Sequence, residues 1–270
     1  MAISGSAVNL STILLEKNRG NGKGPSLLVS EWMEEAGEGG FAGLEIWINH
    51  LQFSSRSEWE LITERSSEYD LPIAAIAAAL PVDGSDKSQR FRDSLIEALE
   101  YFRPDVLKFT LAVPASKSAG GSEGLEFVKE WSRDVPRDMS LLYDGGEGTG
   151  AGEIAAARKV LEAGRFKGVL HPFLFTPKEL ETALDAAGDF LANLGVQAKQ
   201  GGQRILLEEN AEAHQKIISA VRGRGFKGTW SLEYTKGAGM PGEDIEAMFD
   251  NAEKDLNFLI EAQARAARAR

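Results

Sequence analysis

The chain has 270 residues, of which 43% are hydrophobic, enough for one large core, and closed α/β barrels of this size fold as one domain. Lys plus Arg total 30 against 41 Asp plus Glu, a net charge of -11 that repels nucleic acid and anionic membrane surfaces. The absence of cysteine excludes disulfides, thiol nucleophiles, cysteine-held zinc and iron–sulfur clusters.

The N-terminal "MAISGSAVNLST" has neither a basic n-region nor an apolar h-region, and no run of about 18 apolar residues occurs. A soluble cytoplasmic protein is expected. Short apolar runs then alternate with segments of helical period. The run 7–14 precedes a helix near 25–37, "GLEIWI" (43–48) precedes "SEWELITERSSEYD", and "PIAAIAA" (72–78) precedes a helix near 86–102. "DVLKFTLA" (105–112) and "MSLLYD" (139–144) precede helices near 122–133 and 153–163. "FKGVLHPFLF" (166–175) leads to a helix opened by Thr176 and Pro177, an N-cap and first-turn pair. "QRILLE" (203–208) is read as strand 7, with a helix to about 222, and "FKGTWSLEY" (226–234) as strand 8, with a last helix from about 242 to 266.

Eight βα pairs whose strands are too apolar for a solvated face predict a closed parallel barrel, a (β/α)8 TIM barrel spanning 1–270 as a single domain. A doubly wound sheet shares the alternation, but "STILLEKN" is not the Gly-rich first turn such sheets carry. Phe-x-Gly recurs before strands 2, 6 and 8, at Phe41, Phe166 and Phe226. Repeat ancestry and the ordinary use of glycine as a helix C-cap explain this equally.

In a barrel, chemistry sits where strands end. The polar residues there are Glu45 (strand 2), Lys108 (strand 4), Asp144 (strand 5), His171 (strand 6), Glu208 or Glu209 (strand 7) and Glu233 (strand 8). Carboxylates and one imidazole on four adjacent strands suit a divalent metal, with Mn²⁺, Mg²⁺ or Co²⁺ favoured over Zn²⁺ by the hard oxygens. Each alone is equally a capped or ion-paired structural group. The loop "DGGEGTGAGE" (144–153) offers backbone amides to an anion, but it lacks the Walker lysine and the GxGxxG spacing. "EYTKGAGMPGED" places Lys236 and a glycine turn after strand 8. The tryptophans, Trp32, Trp47, Trp131 and Trp230 among them, are packing residues or sugar-stacking platforms, and an outer ring of helices carrying them would suit a homo-oligomer.

"FAGLEIW", "LLYDGGEGTGAG", "GVLHPF" and "GTWSLEY" together resemble the xylose-isomerase-like TIM barrels, over nearly the whole chain. The resemblance implies a sugar isomerase, epimerase or dehydratase in which a Glu, an Asp, a His and a Glu ending strands 5 to 8 bind one divalent metal. Here strand 8 keeps Glu233, strand 5 carries the shorter Asp144, strand 6 carries His171 in place of Asp, and strand 7 carries Glu208 in place of His. The histidine usually found three residues after the strand 6 Asp falls at Leu174 and is absent. Glu45, Lys108, His214 and Lys236 are the expected substrate contacts. The DNA-repair branch of this superfamily needs a histidine-rich three-metal cluster, and the chain has 3 His.

Three readings follow. In the first, Asp144, His171, Glu208 and Glu233 hold a metal, and Asp144 and Glu233 move a proton on a small sugar, keto sugar or polyol through an enediolate, with dehydration sharing that intermediate. In the second, the barrel is non-catalytic and binds a sugar-like ligand or a protein partner, its strand-end carboxylates paired with Lys108 or Arg204. In the third, His171 and Glu233 are a metal-free acid–base pair with Lys108 as electrophile.

Overall fold

The computed structural model describes residues 6–16, 27–112, 122–147, 149–161, 165–238 and 244–268. In chain order these form β1 (Val8–Ser11), α1 (Met33–Glu38), β2 (Leu44–Trp47), α2 (Ile48–Gln52), α3 (Arg56–Glu68), β3 (Ile73–Pro81) and α4 (Asp86–Phe102). They continue as β4 (Val106–Ala112), α5 (Ser122–Trp131), β5 (Ser140–Tyr143), α6 (Ala151–Leu161), β6 (Phe166–Leu170), α7 (Pro177–Ala187) and β7 (Leu191–Val196). A hairpin, β8 (Ala198–Gln200) and β9 (Gln203–Ile205), precedes α8 (Ala211–Gly223), β10 (Thr229–Leu232) and α9 (Ile245–Arg268).

Eight strands close in the order β1-β10-β7-β6-β5-β4-β3-β2, every neighbour parallel. Closure leaves no sheet edge, and the apolar strands are covered by helices on the outside. The chain is a single-domain (β/α)8 barrel. Leu10, Leu44, Ile46, Ile76, Leu107, Leu194 and Trp230 are among its fully buried side chains. The α7 start is as expected: Thr176 Oγ1 accepts from the Glu179 amide while the Glu179 carboxylate accepts from the Thr176 amide, a capping box. Among the described residues, no helix is long and apolar enough to cross a membrane.

One strand differs from expectation. The seventh barrel strand is "LANLGV" (Leu191–Val196), and "QRILLE" supplies β9 and a 3-10 turn outside the barrel. Asn193 and Gly195 disfavour a strand when propensity alone is weighed, whereas "ILLE" is continuously apolar. Tertiary contacts reverse that preference: Asn193 Nδ2 donates to Thr229 Oγ1 (2.9 Å) and Ser231 Oγ (3.1 Å) on the adjacent β10. The Phe-x-Gly glycines are not left-handed helix caps, since none of Gly43, Gly168 or Gly228 has positive φ. At Gly228 a Cβ would lie 2.0 Å from the Ala192 carbonyl oxygen, so the glycine permits β10 to approach β7.

The long α9 is tied to the loops at the strand ends through Asp255, which is buried. Its carboxylate accepts from the Leu207 amide (2.7 Å) and the Thr235 hydroxyl (2.6 Å). Burial pushes its pKa up to about 7, outweighing those two hydrogen bonds, with Glu208 and Glu209 adding to the rise. The folded state therefore holds a proton that the unfolded chain releases near pH 4, and the stability this confers is lost as pH rises from about 4 to 7. Urea midpoints across that range are expected to show Asp255→Asn gaining on the wild type by roughly 2–4 kcal/mol toward neutral pH. A pH-independent difference between the two proteins would contradict this assignment.

Candidate functional site

Four side chains follow the ends of adjacent strands: Asp144 after β5, His171 after β6, Gln197 after β7 and Glu233 after β10. All four are buried. Below them, Glu45 on β2 and Lys108 on β4 point into the barrel and are also buried. The alanine-rich β3 makes room for these long side chains. Ala77 stands in register with both Trp47 and Lys108, and Ala77 and Ala78 line the cavity that results.

Glu45 is fully occupied within the barrel. It accepts from Ser11 Oγ (2.9 Å), Ser231 Oγ (2.8 Å) and Lys108 Nζ (3.0 and 3.2 Å). The Lys108 ammonium also bonds Glu233 Oε1, so one cation from β4 bridges two carboxylates carried by strands on either side of β1. Above it, His171 Nε2 lies 3.0 Å from Asp144 Oδ1, while Nδ1 lies 3.4 Å from Glu233 Oε2 and 3.1 Å from the Gln197 amide nitrogen. Asp144 Oδ1 accepts in addition from the Gly146 amide (2.7 Å), two residues on in the glycine loop. That loop therefore serves the protein's own carboxylate.

Three carboxylates against one ammonium leave two negative charges if His171 is neutral. The imidazole responds accordingly. Burial opposes its charge, but Asp144 and Glu233 overcome this and raise its pKa to about 9. Burial likewise opposes the charges of Lys108 and Asp144. Glu233 and Glu45 nevertheless hold Lys108 firmly protonated, and His171, Lys108 and the Gly146 amide hold the Asp144 carboxyl well below the usual range. Glu233 moves the other way: burial, with the charges of Asp144 and Glu45, raises it despite Lys108 and His171. As an imidazolium His171 donates from both nitrogens, and turning the Gln197 amide over places Oε1, otherwise unpaired, against Nδ1.

A cavity of about 260 Å³ opens on this cluster, lined by Trp47, Lys108, Asp144, His171, Gln197 and Glu233 among others. Asp144, His171 and Glu233 offer ligand atoms within 4.8 Å of one another, a group that could hold a metal ion. The donor chemistry fits once His171 gives up its proton: two carboxylates and a neutral imidazole, the Gln197 amide oxygen released from Nδ1, and an excess of two negative charges. Gly195 keeps the space open, since a Cβ there would lie 2.4 Å from the His171 ring and 2.9 Å from Glu233 Oε1.

The structure thus brings together Asp144, His171, Glu233, Glu45 and Lys108, and leaves the other sequence candidates apart. Glu208 is exposed on the turn after β9 and outside the cluster, because the strand assigned to it is not the barrel strand; Gln197 stands at the end of the true β7. His214 is buried on α8 with Nδ1 2.7 Å from the Leu207 carbonyl oxygen and its ring 5.1 Å from Phe173. Lys236 is exposed and pairs with Glu209 at 2.6 Å. Arg204 pairs with Glu147 and lies 3.5 Å from the Tyr234 ring centroid. Residues 239–243 of the glycine turn after strand 8 lie outside the described residues. Sequence reasoning missed Gln197; a glycine two residues upstream in an apolar run was the available signal for a strand with crowded neighbours.

No protein-family model and no curated protein matches the chain. Solved structures do. D-psicose 3-epimerase with D-tagatose from Clostridium cellulolyticum H10 aligns at TM-score 0.66 and 13% identity, covering 97% of each chain. The probable 3-DHS dehydratase AsbF of petrobactin synthesis from Bacillus anthracis aligns at 0.66 and 16%, covering 93% of this chain and 98% of that one. The IOLI protein with a bound zinc atom aligns at 0.70 and 12%, covering 96% and 98%. The chain has the fold of the xylose isomerase-like TIM barrels, as the sequence resemblance implies.

Lys108 is the electrostatic pivot of this arrangement. Lys108→Met would leave Glu45 and Glu233 buried without their shared cation, and a loss of about 3–5 kcal/mol in denaturant unfolding is expected. Adding Glu45→Gln should recover at least about 1 kcal/mol. Unchanged stability in the single variant would show that the two carboxylates do not depend on Lys108.

Proposed function

We propose that the chain is an enzyme that transfers a proton at the carbon next to a carbonyl in a small, sugar-like polyhydroxy compound. The observation carrying this reading is the convergence of Asp144, His171 and Glu233 on one cavity at the strand ends, over a buried ammonium. A carboxyl raised by burial beside one held low is the pairing that proton transfer uses.

Glu233 is the proton carrier. Burial makes it a stronger base than an exposed carboxylate, and it stands at the cavity wall. As it takes the proton, charge develops on the carbonyl oxygen, and the Lys108 ammonium is the fixed donor positioned to bind it. Returning the proton from Glu233 to the former carbonyl carbon, as the proton of the adjacent hydroxyl passes to the former carbonyl oxygen, gives isomerisation. Delivery from the opposite side by the paired Asp144 and His171 gives epimerisation, and delivery to a departing hydroxyl gives dehydration. The polar tip of Gln197 orients His171.

Asp144, His171 and Glu233, with Gln197 Oε1, would hold a divalent cation, which would supply electrophilic polarisation of the carbonyl and its neighbouring hydroxyl. Mn²⁺ and Co²⁺ suit the imidazole as well as the oxygens, and Mg²⁺ the oxygens. The contact of Lys108 with Glu233 favours a second reading, in which the ammonium and the His171 imidazolium are the only cations and catalysis is metal-free. A small neutral substrate, no nucleic-acid partner and a cytoplasmic setting fit both.

The test is solvent-deuterium incorporation, followed by proton NMR, across keto sugars, keto polyols and hydroxyketones, with and without Mn²⁺. Exchange at the carbon next to the carbonyl is expected in at least one compound, falling 100-fold or more in Glu233→Gln. Full exchange in a folded Glu233→Gln would contradict the assignment, and dependence on Mn²⁺ separates the two readings.

A further inference from the structure

A second cavity, of about 360 Å³, adjoins the first between the N-terminal ends of α6 and α7. Gly146 and His171 line both, so the imidazole that bounds the polar pocket also bounds this chamber. Val169 and Leu170 from β6, with Leu174 and Phe175 from the segment entering α7, give it a largely carbon wall. Two of the polar groups at its edge are spent within α7: the Glu179 carboxylate accepts from the Thr176 amide and hydroxyl, and the Thr182 hydroxyl donates to the Lys178 carbonyl oxygen at 2.9 Å. With Thr149 and Lys178 as its further polar lining, the chamber offers a ligand mainly shape and apolar contact.

A bare sugar bears a hydroxyl on nearly every carbon, and any part of it entering the chamber would leave those hydroxyls without partners. The polar pocket, with its seven ionisable side chains, is the place for such oxygens. We propose that the substrate is a hydroxycarbonyl compound carrying an alkyl or aryl arm. Its oxygenated end lies in the pocket at Glu233 and Lys108, and its arm lies in the chamber past His171. The proposal deepens the proton-transfer reading and rests on it for the placement of the oxygenated end. Each methylene buried in the chamber is expected to raise affinity roughly fourfold.

The full chain would be titrated with hydroxyacetone, 1-hydroxyhexan-2-one and 2-hydroxyacetophenone, with dissociation constants measured by calorimetry or ligand-observed NMR. The two longer probes are expected to bind at least tenfold more tightly than hydroxyacetone. Leu174→Trp, which fills the chamber, should reduce that gradient to under threefold. Thr182→Trp at the exposed edge of the chamber provides the same block should the first variant fold poorly. A flat series in the wild type, or a gradient surviving in a folded blocking variant, would overturn the proposal. Deuterium exchange on the same probes separates the two claims: a gradient without exchange upholds the chamber and removes the proton-transfer reading, whereas exchange without a gradient removes the chamber.

Discussion

Glu45, Asp144 and Glu233 are buried together in one cluster of the barrel, and the arrangement of the site follows from how that charge is contained. Burying a lone carboxylate costs far more than one hydrogen bond returns. Glu45 is contained completely, by two serine hydroxyls and the Lys108 ammonium. Lys108 is then shared with Glu233, and His171 is shared between Glu233 and Asp144. The chain of contacts ends with charge left over, which distinguishes this cluster from a neutralised structural network. It is held at the strand ends, where a cavity reaches it.

The surrounding fold makes this placement possible. Alanines on β3 give up volume to Glu45 and Lys108, and Gly195 on β7 gives up a side chain to His171 and Glu233. Such positions cost apolar burial that a barrel built only for stability would keep.

Much of this was legible in the sequence. The alternation of apolar runs with helical segments carries the barrel, because parallel strands covered on both faces leave a period that survives imprecise boundaries. Strand-end position alone picked out Glu45, Lys108, Asp144, His171 and Glu233. Strand 7 was not legible, since Asn193 and Gly195 suit their place only through contacts with β10, His171 and Glu233 that no local pattern encodes. The error carried forward: Glu208 took the position that belongs to Gln197. The pairing of Lys108 with Glu233, 125 residues away, is legible only as an alternative, and its pairing with Glu45, 63 residues away, not at all, because spacing along the chain does not report which inward-pointing groups meet.

The claim at the centre of this account is that the excess negative charge of Asp144, His171 and Glu233 is a cation site, formed without Glu208. Calorimetric titration of chelator-treated protein with Mn²⁺, in the wild type, Asp144→Asn and Glu208→Gln, tests it most directly. The account predicts one ion per chain in the wild type and in Glu208→Gln, and none in Asp144→Asn at the same concentrations. No binding by the wild type, or an equal loss in Glu208→Gln, would contradict it.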